Sequence, residues 1–232
     1  MIAAEECRYG DRDRRKIRMT TILFTGDSIT DGNRYKRPDQ AWDLNHQMGH
    51  SFAYIINGLL GSKYPEKDLH FINRGISGNK ISDLYSRVEG DLNELKPDIV
   101  SILVGINDGP SEGRGFRPTA KAHYDAIYRM MLDTVRAVLP EVRFIFCEPF
   151  VCRCGKIGER YDEWRSCMEG YSQAVRRIAK DYNGIFVPLQ EAFDEACEKK
   201  EVSYWCWDGI HPTENGHGLI ARQWLKYVEE TL

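Results

Sequence analysis

A chain of 232 residues is long enough for one domain with a sizeable core, and 42% hydrophobic with 29% charged residues is an ordinary balance for a globular protein. A formal net charge of -3 at pH 7 gives no electrostatic basis for binding nucleic acid or an anionic membrane. No apolar run approaches the roughly 18 residues that a transmembrane helix needs.

Residues 1–18 carry Arg8, Arg12, Arg14, Arg15, Lys16 and Arg18 against Glu5, Glu6, Asp11 and Asp13. With no apolar stretch among them, they read as a charged tail, or as residues ahead of a start at Met19, rather than as a secretory signal. One domain is expected over residues 19–232, in the cytoplasm, with its seven cysteines as reduced thiols. Cys152-Arg153-Cys154 is spaced too tightly for a zinc knuckle, and no second pair or nearby His completes a set. No metal is expected.

The first strand is the apolar run Ile22-Leu23-Phe24, ended by Thr25-Gly26-Asp27-Ser28-Ile29-Thr30. Three readings of this turn stand side by side. Ser28 serves as a nucleophile whose own N–H faces an oxyanion, Asp27 or Ser28 caps a helix, or the turn is a flavodoxin-like phosphate or FMN loop. Asp27 argues against the last, because a carboxylate repels phosphate. The polar stretch 31–49 follows, with Trp42 in it as a candidate sugar platform or a pin for the loop.

Phe52, Ile55, Ile56, Leu59 and Leu60 then recur at helical spacing up to Gly61. Leu69 to Ile72 reads as a second strand, running into Asn73-Arg74-Gly75-Ile76-Ser77-Gly78-Asn79, where the Gly75 N–H can approach a ligand without a side chain in the way. Ile81, Leu84, Val88, Leu92 and Leu95 predict one amphipathic helix of about four turns, closed before Pro97. Ile99 to Val104 has the continuous apolar character of a central parallel strand and ends in Gly105-Ile106-Asn107-Asp108. Asn107 either donates to an oxyanion or closes an Asx turn. A long helix follows through Tyr124, Tyr128, Leu132 and Leu139. Then come a fourth strand at Phe144-Ile145-Phe146, a helix from Tyr161 to Ala179, and a fifth strand at Ile185-Phe186-Val187.

Near the end stands Trp205-Cys206-Trp207-Asp208-Gly209-Ile210-His211-Pro212, before a last helix. Asp208 three residues ahead of His211 is positioned to fix the ring's tautomer and leave the other nitrogen for a serine. Alternating strands and helices without repeats predict a single doubly wound α/β domain with a five-stranded parallel sheet; periodicity does not give the strand order, for which the flavodoxin-like 2-1-3-4-5 is chosen. Loops after parallel strands share one rim, so Ser28, Gly75, Asn107, Asp208 and His211 converge there.

These four blocks, in this order, resemble those of the SGNH (GDSL-type) serine hydrolase family. The resemblance covers nearly the whole chain after Thr21. It implies a three-layer α/β/α fold and an esterase with Ser28 as nucleophile, His211 as base and Asp208 as its orienter. It also implies an oxyanion hole of the Ser28 N–H, the Gly75 N–H and the Asn107 amide, with no metal or organic cofactor. No G-x-S-x-G elbow occurs, so the α/β-hydrolase family fits less well. Within the family, the GINDG block and the segment 205–212 are similar to bacterial acetylxylan esterases acting inside the cell.

The expected substrate is therefore a short acyl ester of a carbohydrate, acetylated xylo-oligosaccharides in particular, with Asp27, Trp42, Trp205 and Trp207 as candidate substrate contacts and a homo-oligomer as a possible assembly. A lysophospholipase or thioesterase on the same fold is the alternative, and a non-catalytic phosphate- or FMN-binding module the alternative from another class.

Overall fold

The computed structural model describes residues 19–37, 44–110 and 118–232. Five strands form one parallel sheet in the order β2-β1-β3-β4-β5: β1 is Thr20–Gly26, β2 Leu69–Asn73, β3 Ile99–Leu103, β4 Arg143–Cys147 and β5 Ile185–Val187. The expected order is the observed one. Parallel neighbours need a crossover between them, and helices provide it here. In chain order they are α1 Ser28–Asp31, α2 Leu44–Met48, α3 Phe52–Lys63, α4 Ile81–Ser86, α5 Pro118–Val138, α6 Tyr161–Asp181, α7 Gln190–Lys199 and α8 Glu214–Val228.

β3 is buried at all five positions and pairs on one side with β1, Ile22 opposite Ile99, and on the other with β4, Ile99 opposite Arg143. That double coverage is why Ile99–Leu103 is apolar without alternation. The β1 end is shaped by Gly26, whose φ is +159° and where a Cβ would lie 2.1 Å from the Leu103 carbonyl oxygen, so only glycine lets the chain leave the sheet there.

Two helices depart from the sequence pattern. The expected four-turn helix after Ile81 stops at Ser86 and resumes as a single π turn at Glu89–Asn93. The wider turn takes up one extra residue, and both Val88 and Leu92 remain buried. α3 runs through Gly61 to Lys63, and Leu59, expected on its buried stripe, is 48% exposed.

α8 locks the two ends of the fold together. Trp224 is fully buried, with its ring 5.8 Å from that of Phe24 on β1, and its indole N–H donates to the Ser101 hydroxyl on β3 at 3.0 Å. Among the described residues no helix is long and apolar enough to cross a membrane.

Replacing Trp224 with Ala empties that site and leaves Ser101 without its donor; the expected loss is about 3–5 kcal/mol of stability, read as a lower urea midpoint. A loss under about 1 kcal/mol would contradict the anchoring role of α8.

Candidate active site

The rim at the carboxyl ends of the strands collects the chain's polar turns, as open parallel sheets require. β1 delivers Ser28 as the first residue of α1, where backbone N–H groups lack intrahelical carbonyls. The turn before α8 delivers Asp208 and His211. Ser28 Oγ lies 2.9 Å from His211 Nε2, and His211 Nδ1 lies 2.8 Å from Asp208 Oδ2.

Asp208 is 3% exposed and more than paired with the ring. Its Oδ1 accepts from the backbone N–H of Ile210 at 3.0 Å and of His211 at 2.7 Å. Burial acts to raise this carboxyl, but the His211 N–H, the His211 ring and the Ile210 N–H together outweigh it and hold it below its ordinary value. An ionised carboxylate only accepts. Nδ1 therefore carries the ring proton, and Nε2 is left to accept from the Ser28 hydroxyl. The tautomer of the ring is thus set by hydrogen bonds in which the serine takes no part.

The oxyanion candidates divide. Asn107 stands at the β3 end in a short 3-10 turn, Ile106–Asp108, and one of its amide hydrogens goes to the Asn79 carbonyl at 3.0 Å, leaving the second for a ligand. Gly75 does not offer its N–H as expected. It is buried, and the N–H donates to Asn73 Oδ1 at 2.8 Å in an Asx turn. The glycine that reaches the surface of this loop is Gly78, exposed and left-handed at φ +82°. It precedes Asn79, the residue that holds Asn107.

Three residues that sequence reasoning passed over build this wall. Asn73, buried at the end of β2, donates to the carbonyls of Thr30 at 2.7 Å and Met48 at 2.8 Å. Arg34, also buried, donates through Nε to the Gly75 carbonyl at 2.9 Å. Asp31 accepts from Lys36 Nζ at 2.8 Å and from the Ser77 N–H at 2.9 Å. The signals available in advance were a polar residue, Asn73, at the end of a strand and the polar stretch 31–49 that holds Asp31 and Arg34, neither of which gave these roles.

The candidate substrate contacts also separate. Asp27 is 1% exposed and caps α1 by accepting from the Ile29 N–H at 3.0 Å, so the helix-cap reading of this residue replaces the substrate-binding one. Trp205 is packed against the core, its Nε1 is buried, and its ring meets Tyr204 edge-on at 4.9 Å; it is a packing residue and not a rim contact. Trp207 is 58% exposed, and its ring stacks on His211 with centroids 5.4 Å apart and 17° between planes. Trp42 lies outside the described residues.

A profile described as the GDSL-like lipase/acylhydrolase family matches residues 24–219. An acetylxylan esterase of Geobacillus stearothermophilus is 34% identical over 209 residues, covering 89% of this chain and 93% of that protein. The crystal structure of Axe2, an acetylxylan esterase from the same organism, superposes with a TM-score of 0.76 at 32% identity over 91% of this chain and 95% of that one. A structure from Parabacteroides merdae described as a GDSL-like lipase superposes with a TM-score of 0.80 at 31% identity, over 91% and 97% of the two chains.

Burial pushes the Asp27 carboxyl up to about 7 against its hydrogen bond from Ile29, and the Asp108 carboxyl adds to the rise. Such a group binds its proton more tightly folded than unfolded. Its contribution to stability is full below about pH 4 and is lost as pH rises through about 7. Asp27→Asn keeps the cap oxygen without the charge, so the variant is expected to melt higher than the parent at pH 8, with the difference closing at pH 4. Melting curves whose difference does not vary with pH would show that Asp27 is not the buried titrating group.

Proposed function

The chain belongs to the GDSL-like lipase/acylhydrolase family and is a carboxylic ester hydrolase, and from that premise we propose that it removes acetyl groups from carbohydrate esters, acetylated xylo-oligosaccharides in particular, through a covalent acyl-enzyme on Ser28. The observation that carries this reading is the unbroken relay from Ser28 Oγ to His211 Nε2 at 2.9 Å and from His211 Nδ1 to Asp208 at 2.8 Å.

Ser28 Oγ attacks the ester carbonyl while His211 Nε2 takes its proton, and the Asp208 carboxylate stabilises the imidazolium that results. The carbonyl oxygen gains negative charge at the end of β1. It is received by the Ser28 N–H and the second amide hydrogen of Asn107, with the Gly78 N–H in place of Gly75 as the donor from the loop after β2. Each such donor, already aimed before charge develops, is worth about 2.7–4 kcal/mol. Collapse expels the sugar alcohol, protonated by His211. Water activated by the same nitrogen then attacks the acetyl-serine, and acetic acid leaves.

The short acyl group and sugar alcohol rest on two supports. The curated relative is an acetylxylan esterase. The exposed Trp207 indole, stacked beside His211, offers an apolar face where the leaving alcohol must sit, and pyranose rings pack on such faces through their C–H edges.

Turnover of p-nitrophenyl esters from acetate to octanoate tests the reading. Acetate is expected to be preferred, and Ser28→Ala to lower its rate by roughly 10³-fold or more. A preference for octanoate would move the substrate class to lipids, and an active Ser28→Ala enzyme would remove the mechanism. Trp207→Ala is expected to raise KM for acetylated xylo-oligosaccharides by roughly 2- to 10-fold, the range of one aromatic contact, with p-nitrophenyl acetate nearly unaffected. Equal effects on both substrates would mean that the indole supports His211 and not the sugar.

A further inference from the structure

Beside the Asp208–His211 turn, four cysteines gather from three parts of the chain. Cys152 and Cys154 lie in the segment after β4, Cys197 near the end of α7, and Cys206 two residues ahead of Asp208. All are free thiols. The Cys152 thiol lies within interaction range of those of Cys197 and Cys206, and Cys154 Sγ donates to the Cys206 carbonyl at 3.1 Å.

Among the described residues no group of three or more His, Cys, Asp or Glu is arranged to hold a metal ion, so the cluster is read by its thiol chemistry. A small cavity of about 190 Å³ opens onto it, lined by Cys152 and Cys197 together with Arg153, Tyr161 and Asp194. Cys152 is buried and Cys197 half-buried, so of the two thiols that line the cavity Cys197 is the more accessible to a small oxidant.

The cluster is tied to the catalytic turn by backbone. The Cys152 N–H donates to the Gly209 carbonyl at 2.9 Å, and the Lys156 N–H donates to the Asp208 carbonyl at 3.1 Å. Residues 152–156 thus form a strap under the turn that carries Asp208 and His211.

We propose that Cys197 and Cys152 are a peroxide-responsive dithiol, whose closure to a disulfide draws α7 against this strap and lowers esterase turnover reversibly. Hydrogen bonding with Cys152 lowers the Cys197 thiol from its ordinary value against burial and the nearby Asp194, which favours the thiolate that attacks peroxide. In the first step the Cys197 sulfur bonds to one peroxide oxygen, the O–O bond breaks, and hydroxide leaves and is protonated. The sulfur is oxidised to a sulfenic acid by two electrons that the peroxide accepts. In the second, the Cys152 sulfur attacks the sulfenic sulfur, the S–S bond forms, and the oxygen leaves as water with the Cys152 proton. Two thiols and one peroxide give one disulfide and two waters.

The effect on turnover rests on the catalytic roles given above to Asp208 and His211; formation of the bond does not. The test treats the full-length native protein with hydrogen peroxide, alkylates remaining thiols, and maps peptides by mass without reductant. The expected product is a single linked pair, Cys152 with Cys197, accompanied by a roughly tenfold fall in kcat for p-nitrophenyl acetate, in keeping with the sensitivity of rate to misplacement of a catalytic group. KM should stay nearly constant, and dithiothreitol should restore kcat. Cys197→Ser should keep the basal rate and hold it under peroxide. Cys152→Ser, if it folds, should leave Cys197 as a sulfenic acid that dimedone labels.

Recovery of Cys197 as a free thiol, its conversion to sulfinic acid without linkage, or any other pairing would overturn the dithiol. A Cys152–Cys197 bond that leaves kcat unchanged would overturn the switch. The mapping is independent of Ser28 chemistry, so it stands or falls apart from the acyl-enzyme mechanism.

Discussion

An aspartate kept ionised inside the protein is the constraint on which the site depends. Asp208 is nearly without solvent, and a carboxyl placed there with nothing to meet it would protonate and lose its ability to hold the imidazole. The turn prevents this with its own backbone. Two consecutive N–H groups, Ile210 and His211, fold back onto Oδ1, and Oδ2 is left for the ring. The contrast with Asp27 is instructive: equally buried, with Ile29 as its hydrogen-bond donor and another carboxyl nearby, it is pushed up to about 7 and serves as a cap. Two buried aspartates of the same site thus have opposite charge preferences, decided by how many donors each one meets.

The sheet's part is to bring these turns to one edge. Ser28, Asn107 and Gly78 each follow a strand, and Asp208 with His211 precedes α8, whose Trp224 reaches β1 and β3 through the core. The wall around Gly75 shows how much polar work lies beneath such an edge. Asn73 satisfies carbonyls at α1 and α2, and Arg34 and Asp31 satisfy a carbonyl and an N–H group of the loop after β2. Without them the loop after β2 would carry orphaned backbone groups next to the serine.

The strands were legible because β1, β3 and β4 are short apolar runs covered on both faces; their order is not a property of periodicity and came from likeness to flavodoxin-like sheets. Ser28, Asp208 and His211 were legible as polar residues at strand or helix ends. What failed to show were properties of side-chain direction. Periodicity does not reveal that the chain between Ile81 and Leu95 widens into a π turn. It does not distinguish Trp205 from Trp207, two residues apart with one packed inward and one facing solvent. Nor does it say which of two glycines in Gly75-Ile76-Ser77-Gly78 has its N–H already taken. The thiol cluster was hidden in another way, since Cys152, Cys197 and Cys206 are brought together by packing alone and follow no spacing.

Ser28 and His211 are separated by 183 positions in the chain, yet they share a hydrogen bond. On the mechanism proposed above, the ribosome therefore releases the nucleophile long before its base exists, and a nascent or prematurely terminated chain has a serine with nothing to accept its proton. Hydrolytic competence arrives only when α8 has docked and the sheet is complete. The enzyme's activity is in that sense a report on its own folding, available to the cell as soon as the last element is in place and at no earlier stage.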